Sequence, residues 1–481
     1  MKIRNIAGNI QTLLLSHICV SVLFLLLIFE LGLEMEPVVI LVYACLSAGS
    51  YYMLLKNEWE RSRDLSLEIV YLVGCVFRFV IPSFVTSWMI FNDSKIIYFT
   101  GDVSDYAFPA IVWMNIFHIL FYTVFKLKAE NVTLGSKLRE LFDDYDIFKI
   151  IAVIYLISFP FRAFNYLLMF FDVSQYIRSM LNNVGNLSII LMLFNCAYKY
   201  TKTRHVLLIA FCVAEFVYAS FFTYYKVYMI MPIVFYLIFW VVWRKNEKKK
   251  VLTKGFWILC FASFVFINGF VFPFMGAKRV VAGFSVELDA GVNDYSISDV
   301  FDYMKNGHNI DEIESNTLLD RQDAVPVNTY FYKDVITKNK YHSELLVKSI
   351  LVTIPRIIYP EKPYNNLGKM ATEYVRTGVM NDKSTASCFT YVGLLGGAYL
   401  WGGPLGVVIC AILIGYFMSL YNNFMLRNIT NPLAIMYYML FLVAAMSAFE
   451  ETHDGGIGRL LSFIPIAILV KATSFFLARK K

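Results

Sequence analysis

The sequence predicts an all-α polytopic membrane protein with about twelve transmembrane helices and one large outer loop. The first reason is composition. Of 481 residues, 58% are hydrophobic and 16% are charged, whereas a soluble domain has roughly 25% charged residues. The second reason is a mean hydropathy of +0.58. The third is the length of the apolar runs, because a helix needs about 20 apolar residues to cross a bilayer. Together these observations exclude a soluble protein.

The apolar runs that predict the spans recur along the whole chain. They lie at about residues 13–33, 37–55, 67–91, 108–125, 147–171, 182–198, 206–224, 227–243, 255–275, 389–421, 432–449 and 458–478. The first run is too long for the apolar part of a signal peptide and lacks a small-residue cleavage site, so we expect it to remain as the first span. The chain therefore divides into helices 1–9 (residues 1–275), an extracytoplasmic loop subdomain with short interfacial helices (276–388) and helices 10–12 (389–481).

Lysine and arginine cluster in every second loop, where they carry the surplus behind the net charge of +7. Examples are Lys2 and Arg4 before the first run, Lys126 and Lys128 after the fourth, and Lys480 at the end. Basic loops stay on the cytoplasmic side, so both termini are predicted to be cytoplasmic. This pattern reflects membrane topology, and no nucleic acid is expected as a partner.

The loop at 276–388 is the longest connection, and the same alternation places it outside. Its first half is acidic, whereas the part from Lys333 onward is basic, which indicates an anionic partner. Residues 343–354 have helix-like apolar spacing but are too few to span a bilayer, so they predict an interfacial or re-entrant segment. Ordered loops of this length are often functional.

A stiff basic motif follows that short helix. Residues Ile354–Pro363 read IPRIIYPEKP, and the three prolines hold Arg356 and Lys362 on a restricted backbone. A guanidinium can bind two phosphate oxygens while a lysine adds a point charge, so this pair suits a phosphate. The alternative is an interfacial turn whose cations meet lipid headgroups. Tyr359 could stack on a sugar ring.

Charged residues within or beside the spans are further candidates, because charge is costly in a bilayer. Arg162 lies within the fifth run and Lys226 at the outer turn between the seventh and eighth. The structural alternative is an ion pair between Glu215 and an arginine in the membrane. The last outer loop, Glu450–Arg459, combines carboxylates, an imidazole and a guanidinium. A Glu or His in this loop could act as the general base that activates an acceptor hydroxyl; a solvated helix-capping turn is the alternative.

The candidate residues fall into two groups. The catalytic candidates are Glu450, Glu451, His453 and His342, and the candidates for binding pyrophosphate or sugar are Arg356, Lys362, Arg376, Lys226, Arg162, Arg459, Arg279 and Tyr359. The sequence has no His/Cys cluster with metal-ligand spacing and no DxD on the predicted outer face. We therefore expect a metal-independent mechanism without a cofactor.

A glycine-rich stretch, Gly393–Gly406 (GLLGGAYLWGGPLG), opens a late span. Together with IPRIIYPEKP and the outer loop, it resembles the Wzy family of O-antigen and capsular oligosaccharide repeat-unit polymerases, mainly over residues 330–421. The resemblance implies a GT-C-like glycosyltransferase on the outer face of the bacterial plasma membrane. Such an enzyme joins undecaprenyl-pyrophosphate-linked oligosaccharides and releases undecaprenyl pyrophosphate. Its implied partners are those substrates, membrane lipids, and a chain-length regulator and flippase of the same pathway.

Other functions remain open from the sequence. A flippase for lipid-linked oligosaccharides also needs cations for pyrophosphate, but nothing in flipping requires a large outer loop. An O-antigen ligase differs only in its acceptor. A membrane O-acyltransferase would need a histidine deep in a span, a position that His118 could fill.

Overall fold

A computed structural model describes most of the membrane helices. The described residues are 13–26, 37–62, 66–92, 97–98, 101–128, 137, 148–167, 175–222, 226–251, 253–281, 296–305, 325–338, 340–354, 359–361, 370, 373–374, 393–429, 431, 434–435, 437–438, 441–442, 445, 467–468 and 470–472. This part of the chain is helical apart from turns and one small antiparallel ladder, in which Ile97 pairs with Asp102 and Tyr98 with Gly101.

The elements are named here in chain order. They are α1 (Leu13–Leu26), α2 (Pro37–Ser62), α3 (Leu67–Cys75), α4 (Ile81–Phe91), β1 (Ile97–Tyr98), β2 (Gly101–Asp102), α5 (Ala107–Lys128), α6 (Phe148–Leu167), α7 (Gln175–Tyr198), α8 (Lys202–Phe222), α9 (Lys226–Asn246), α10 (Lys254–Phe266), α11 (Phe272–Val281), α12 (Ile297–Lys305), α13 (Val325–Lys338), α14 (Glu344–Thr353) and α15 (Leu394–Arg427). Two π-helical turns, Val76–Val80 and Ile267–Val271, join α3 to α4 and α10 to α11.

Several of these helical stretches suit a membrane. Within the described residues, seven are long and apolar enough to cross one: Pro37–Arg61, Leu67–Phe91, Ser104–Lys128, Lys202–Phe221, Met229–Asn246, Lys254–Lys278 and Leu394–Arg427. Leu13–Leu26, Phe148–Pro160 and Ser188–Tyr198 are shorter apolar helices. The predicted helical membrane protein is confirmed at this level, and the larger number of spans remains a prediction.

The chain forms two compact units. Unit 1 comprises Met1–Thr133 with Gln322–Lys481, and unit 2 comprises Leu134–Arg321. The predicted loop at 276–388 is therefore divided between the units at Arg321.

In unit 1, the long helix α15 packs along α5, and α13 packs against both. Glycine allows the close approach of α15 to α5, since a Cβ at Gly415 would lie only 2.7 Å from the carbonyl oxygen of Phe121. The α14 helix also packs on α15. It coincides with the short helix predicted at 343–354, and it brings this part of the predicted loop onto the membrane helix.

Helix α15 is kinked at Gly403. This residue has φ +56° and ψ −147°, a conformation that side-chain-bearing residues rarely adopt, and Pro404 follows it. A Cβ at Gly403 would lie 2.7 Å from Cε1 of Tyr341. The glycine therefore permits the kink and leaves room for the Tyr341 ring. The contact with this ring holds the segment before α14 against α15.

The basic ends of α2, α5 and α15 lie at the same end of unit 1. The Lys126 ammonium donates to the Glu58 carboxylate at 2.8 Å, which connects α5 to α2. The Asn423 side chain donates to the carbonyl oxygen of Lys128 at 2.7 Å, which connects α15 to α5. Loops that the alternation of charge assigns to one side thus share one end of the unit.

The segment of α13 and α14 lies at the other end of unit 1. Lys333 of α13 donates to the carbonyl oxygen of Asp102 at 2.7 Å, beside the start of α5. The backbone N–H of His342 donates to the carbonyl oxygen of Leu400 at 2.6 Å, near the start of α15. The basic ends and the loop segment are therefore separated by the length of the membrane helices.

Unit 2 contains α6 to α12. The α7 helix packs against α6 and α9, and α9 also contacts α8 and α10. A separate apolar cluster packs the short helix α12 against α11. Its members include Met229, Val271, Met275 and Val300. Arg162, in α6 of the same unit, is fully buried.

Candidate functional site

The structure describes only some of the predicted site residues. Glu450, Glu451, His453, Arg356, Lys362, Arg376 and Arg459 lie outside the described residues. Lys226 is the first residue of α9 and Arg279 belongs to α11, but the described part does not include their side chains. Tyr359 lies in an exposed turn. His342 and Arg162 are described in full, one in each unit.

His342 belongs to a connected series of five polar side chains, called here the His342 chain. Its Nδ1 lies 2.8 Å from Oε1 of Glu344, and its Nε2 lies 3.2 Å from the Tyr374 hydroxyl. The Tyr374 hydroxyl donates to the Asp334 carboxylate. The Lys338 ammonium, one helical turn further along α13, lies 2.5 Å from Oδ1 of Asp334. The three central members, Asp334, Tyr374 and His342, are buried.

The Tyr374 hydroxyl connects the two ends of this series. It donates its single proton to Asp334, and Nε2 of His342 faces the same oxygen. Nδ1 of His342 faces Oε1 of Glu344. Both ring nitrogens of His342 therefore lie within hydrogen-bond distance of a protein partner.

Burial keeps the tyrosines around Asp334 protonated. Burial and then the neighbouring Asp334 carboxylate raise the pKa of Tyr374 far above its usual value. The same two causes raise the pKa of Tyr330 to about 12. Tyr374 therefore remains a hydrogen-bond donor at any pH at which the protein would work.

This arrangement bears on the expected role of His342 as a base. A general base needs a nitrogen lone pair within reach of the proton that it removes. Both nitrogens of His342 face protein partners, Glu344 and Tyr374. To act as a base, His342 would have to leave one of these partners. Its contacts suit a positioning residue, since its own backbone N–H also bonds to Leu400 in α15.

The second described candidate, Arg162, forms an ion pair with Glu215. Its Nη1 and Nη2 donate to the two carboxylate oxygens at 2.7 and 2.9 Å, and the Tyr155 hydroxyl donates to Oε2 of Glu215 at 3.0 Å. Arg162 is 0% exposed and Glu215 is 2% exposed. The structural alternative that pairs Glu215 with an arginine in the membrane is thus present. A contact between Arg162 and pyrophosphate would require this pair to open.

The surroundings of Arg162 are shaped for its guanidinium. The rings of Tyr155, Phe159 and Tyr218 have their centroids 5.1, 5.7 and 4.7 Å from Cζ. A Cβ at Gly185 would lie 1.8 Å from Nη1, so α7 leaves space for the guanidinium at this glycine. Within the described part of the chain, Nε has no hydrogen-bond partner.

Sequence reasoning missed several of these residues. Asp334 and Lys338 are spaced i,i+4 on a helix, which is a signal for an ion pair. No local sequence pattern indicates Tyr374, because it contacts His342 from a position 32 residues away along the chain. The sequence analysis selected Arg279 as a binding candidate but not its neighbour Lys278. Its buried ammonium donates to the carbonyl oxygens of Ser220 and Phe221 at 2.6 and 3.0 Å, at the end of α8.

Among the described residues, no three His, Cys, Asp or Glu side chains form a group that could hold a metal ion.

Comparison with known proteins gave one family. The profile of a domain of unknown function (DUF8712) matches residues 133–425, more than half of the chain. The matched range includes the Arg162 pair, the His342 chain, the proline motif and most of α15. No curated protein and no solved structure matched the chain.

Proposed function

We propose that this chain, which belongs to the DUF8712 family, is an oligosaccharide repeat-unit polymerase of the bacterial plasma membrane. It would join undecaprenyl-pyrophosphate-linked repeat units on the outer face, with about twelve spans, a GT-C-like fold and both termini in the cytoplasm. The observation that carries the proposal is the placement of α14. The helix ends at Thr353, directly before the proline-framed Arg356 and Lys362, and its start is held to α15 through His342.

The reaction follows from the charges available. A hydroxyl of the acceptor sugar attacks C1 of the donor glycan, and the bond from C1 to the pyrophosphate oxygen breaks. The pyrophosphate leaves with the electron pair, and a base takes the hydroxyl proton. Arg356 and Lys362 would stabilise the negative charge that develops on the leaving group. Two cations that follow directly after a helix held to α15 suit this role.

The base is assigned to the last outer loop. Both nitrogens of His342 already face protein partners, so Glu450, Glu451 and His453 are the better candidates for accepting the proton. In this proposal the His342 chain keeps α13 and α14 in register with α15, and thereby positions the residues that follow α14. Arg376 and Arg459 would contribute further cations for the substrate.

A deletion strain tests the assignment. Loss of a polymerase should leave lipid-linked single repeats on the outer leaflet and glycans one repeat long, with no long polymer. Accumulation of the lipid-linked repeat on the cytoplasmic leaflet would instead identify a flippase. Normal polymer that fails only to reach its final acceptor would identify a ligase. Re-expression of the intact chain should restore the polymer in the first case.

A further inference from the structure

A cavity of about 410 Å³ lies at the C-terminal end of α15, in unit 1. It is lined by Leu420, Asn423, Phe424, Arg427, Asn428 and Lys471. The lining therefore combines an apolar wall with two cations and two carboxamides. None of these six lining residues is acidic.

The two cations come from different elements. Arg427 belongs to the last turn of α15, and Lys471 belongs to a helical piece at 470–472. Both side chains are exposed. The ammonium of Lys471 lies 5.7 Å from the centroid of the Phe424 ring. The neighbouring backbone is fixed, since the Asn431 side chain donates to the carbonyl oxygen of Val470 at 3.0 Å.

The end of the helix alone does not explain this concentration of charge. A cation near a helix C-terminus is favourable, and Arg427 alone meets that need. The carbonyl oxygen of Phe424 already accepts from the backbone N–H and the side chain of Asn428, at 3.2 and 2.7 Å. A second cation from another element, set over an aromatic wall, indicates an anionic ligand with an apolar part.

The position of the cavity indicates which ligand this is. From Gly403 to Arg427, α15 rises about 36 Å at roughly 1.5 Å per residue, while the hydrocarbon core of a bilayer is about 30 Å thick. Since Gly403 lies beside Tyr341 of the segment before α14, the cavity lies at the opposite end of α15 from the His342 chain, about one bilayer thickness away. It is therefore separate from the site proposed for polymerisation, and an interfacial lipid can reach it.

We infer that this cavity binds the phosphate headgroup of an anionic phospholipid, with Arg427 and Lys471 contacting the phosphate and Leu420 and Phe424 contacting the glycerol and upper acyl chains. A guanidinium and an ammonium both form charge-assisted hydrogen bonds to phosphate oxygens. Basic sites between membrane helices are a general way to bind anionic headgroups. The inference does not depend on the proposed enzymatic activity.

The test measures lipid binding to the purified full-length chain by native mass spectrometry, with dioleoylphosphatidylglycerol and dioleoylphosphatidylcholine as probes. A cation near an anionic headgroup contributes about 1 kcal/mol, or roughly fivefold in affinity. The double variant Arg427→Gln/Lys471→Gln should therefore bind phosphatidylglycerol roughly 30-fold more weakly, with a smaller loss for phosphatidylcholine, whose choline ammonium offsets the charge of its phosphate. The Lys202→Gln/Lys254→Gln variant is the control, since both lysines are exposed at helix starts in unit 2. It should bind phosphatidylglycerol as the unmodified chain does.

Other outcomes are equally decisive. Equal phosphatidylglycerol binding by the unmodified chain and the double variant would overturn the inference. Thermal stabilisation of the detergent-purified chain by inorganic phosphate, to the same extent as by phosphatidylglycerol, would assign the cavity to a free anion. If Arg427→Gln impairs folding, Lys471→Gln alone carries the test, with an expected fivefold loss.

Discussion

The guanidinium of Arg162 has room in unit 2 because residue 185 is a glycine. The guanidinium occupies the space where a side chain at Gly185 would begin, and Glu215 binds both of its terminal nitrogens. Removing either partner of a buried ion pair leaves an uncompensated charge, which typically costs about 3–5 kcal/mol. The glycine is thus as necessary for the pair as the two charged residues.

Gly185→Ala should strongly destabilise the protein, because its Cβ would lie 1.8 Å from Nη1 and would force Arg162 away from Glu215. We expect a loss of about 3 kcal/mol or more. Gly276→Ala in α11 is the matched control, since a Cβ there meets nothing within 4 Å. The control should be neutral or slightly stabilising. Unfolding of both variants in detergent measures the difference, and equal stability would refute this account of the pair.

Arg356→Lys should fail nearly as badly as Arg356→Ala if the guanidinium binds pyrophosphate through two hydrogen bonds. An ammonium keeps the charge but loses the paired donors. Losing one such donor costs about 2.7–4 kcal/mol of transition-state stabilisation, or roughly 100- to 1,000-fold in rate. The length distribution of the polymer in a complemented deletion strain measures it. Normal long polymer from a stably expressed Arg356→Ala protein would remove this residue from the site.

At the scale of residues, sequence reasoning found the charges, and it anticipated a partner for Glu215 but none for His342. It selected His342 and Arg162 as candidates, and both are buried polar centres in the structure. It could not show that Tyr374 and Glu344 occupy the two nitrogens of His342, because only folding brings Tyr374 there. Local spacing carries information about neighbours within a helix, such as Asp334 and Lys338, and little about distant ones.

At the scale of elements, apolar runs predicted the helices well and their ends less well. The run at 67–91 matches the stretch Leu67–Phe91. The run at 37–55, however, continues as α2 to Ser62. The extension contains Glu58, whose carboxylate accepts from Lys126 and from the Tyr122 hydroxyl of α5. Because these partners compensate its charge, the helix runs past the apolar segment, which hydropathy alone could not predict.

The hydropathy pattern predicted one uninterrupted span at 389–421 and did not predict the kink of α15 at Gly403. Gly403→Ala should destabilise the protein by about 1–3 kcal/mol, because alanine is strained at this φ and its Cβ would meet the Tyr341 ring. Gly402→Ala is the control one residue away, where a Cβ meets nothing within 4 Å. Denaturation of the two purified variants compares them. If Gly403→Ala proves as stable as Gly402→Ala, the kink does not depend on the glycine.

At the scale of the molecule, unit 1 has two chemically different ends. One carries Lys126, Lys128 and Arg427, and the other carries α13, α14 and the His342 chain. The contacts of Glu58 and Asn423 lie at one end and those of Asp102 and Leu400 at the other. That these ends lie on opposite sides of a membrane stays a prediction from the alternation of basic loops. The segment before the proline motif is thereby held at the end where the proposal requires lipid-linked sugars.

The central claim is that this chain joins lipid-linked repeats, and reconstitution tests it most directly. The purified chain is placed in liposomes with undecaprenyl-pyrophosphate-linked repeat units, in the presence of EDTA, and the products are separated by length. The account predicts a ladder of oligomers, one undecaprenyl pyrophosphate released for each new linkage, and no ladder with Arg356→Ala. Repeat units that stay unjoined, or a ladder that forms only after magnesium or manganese is added, would contradict it.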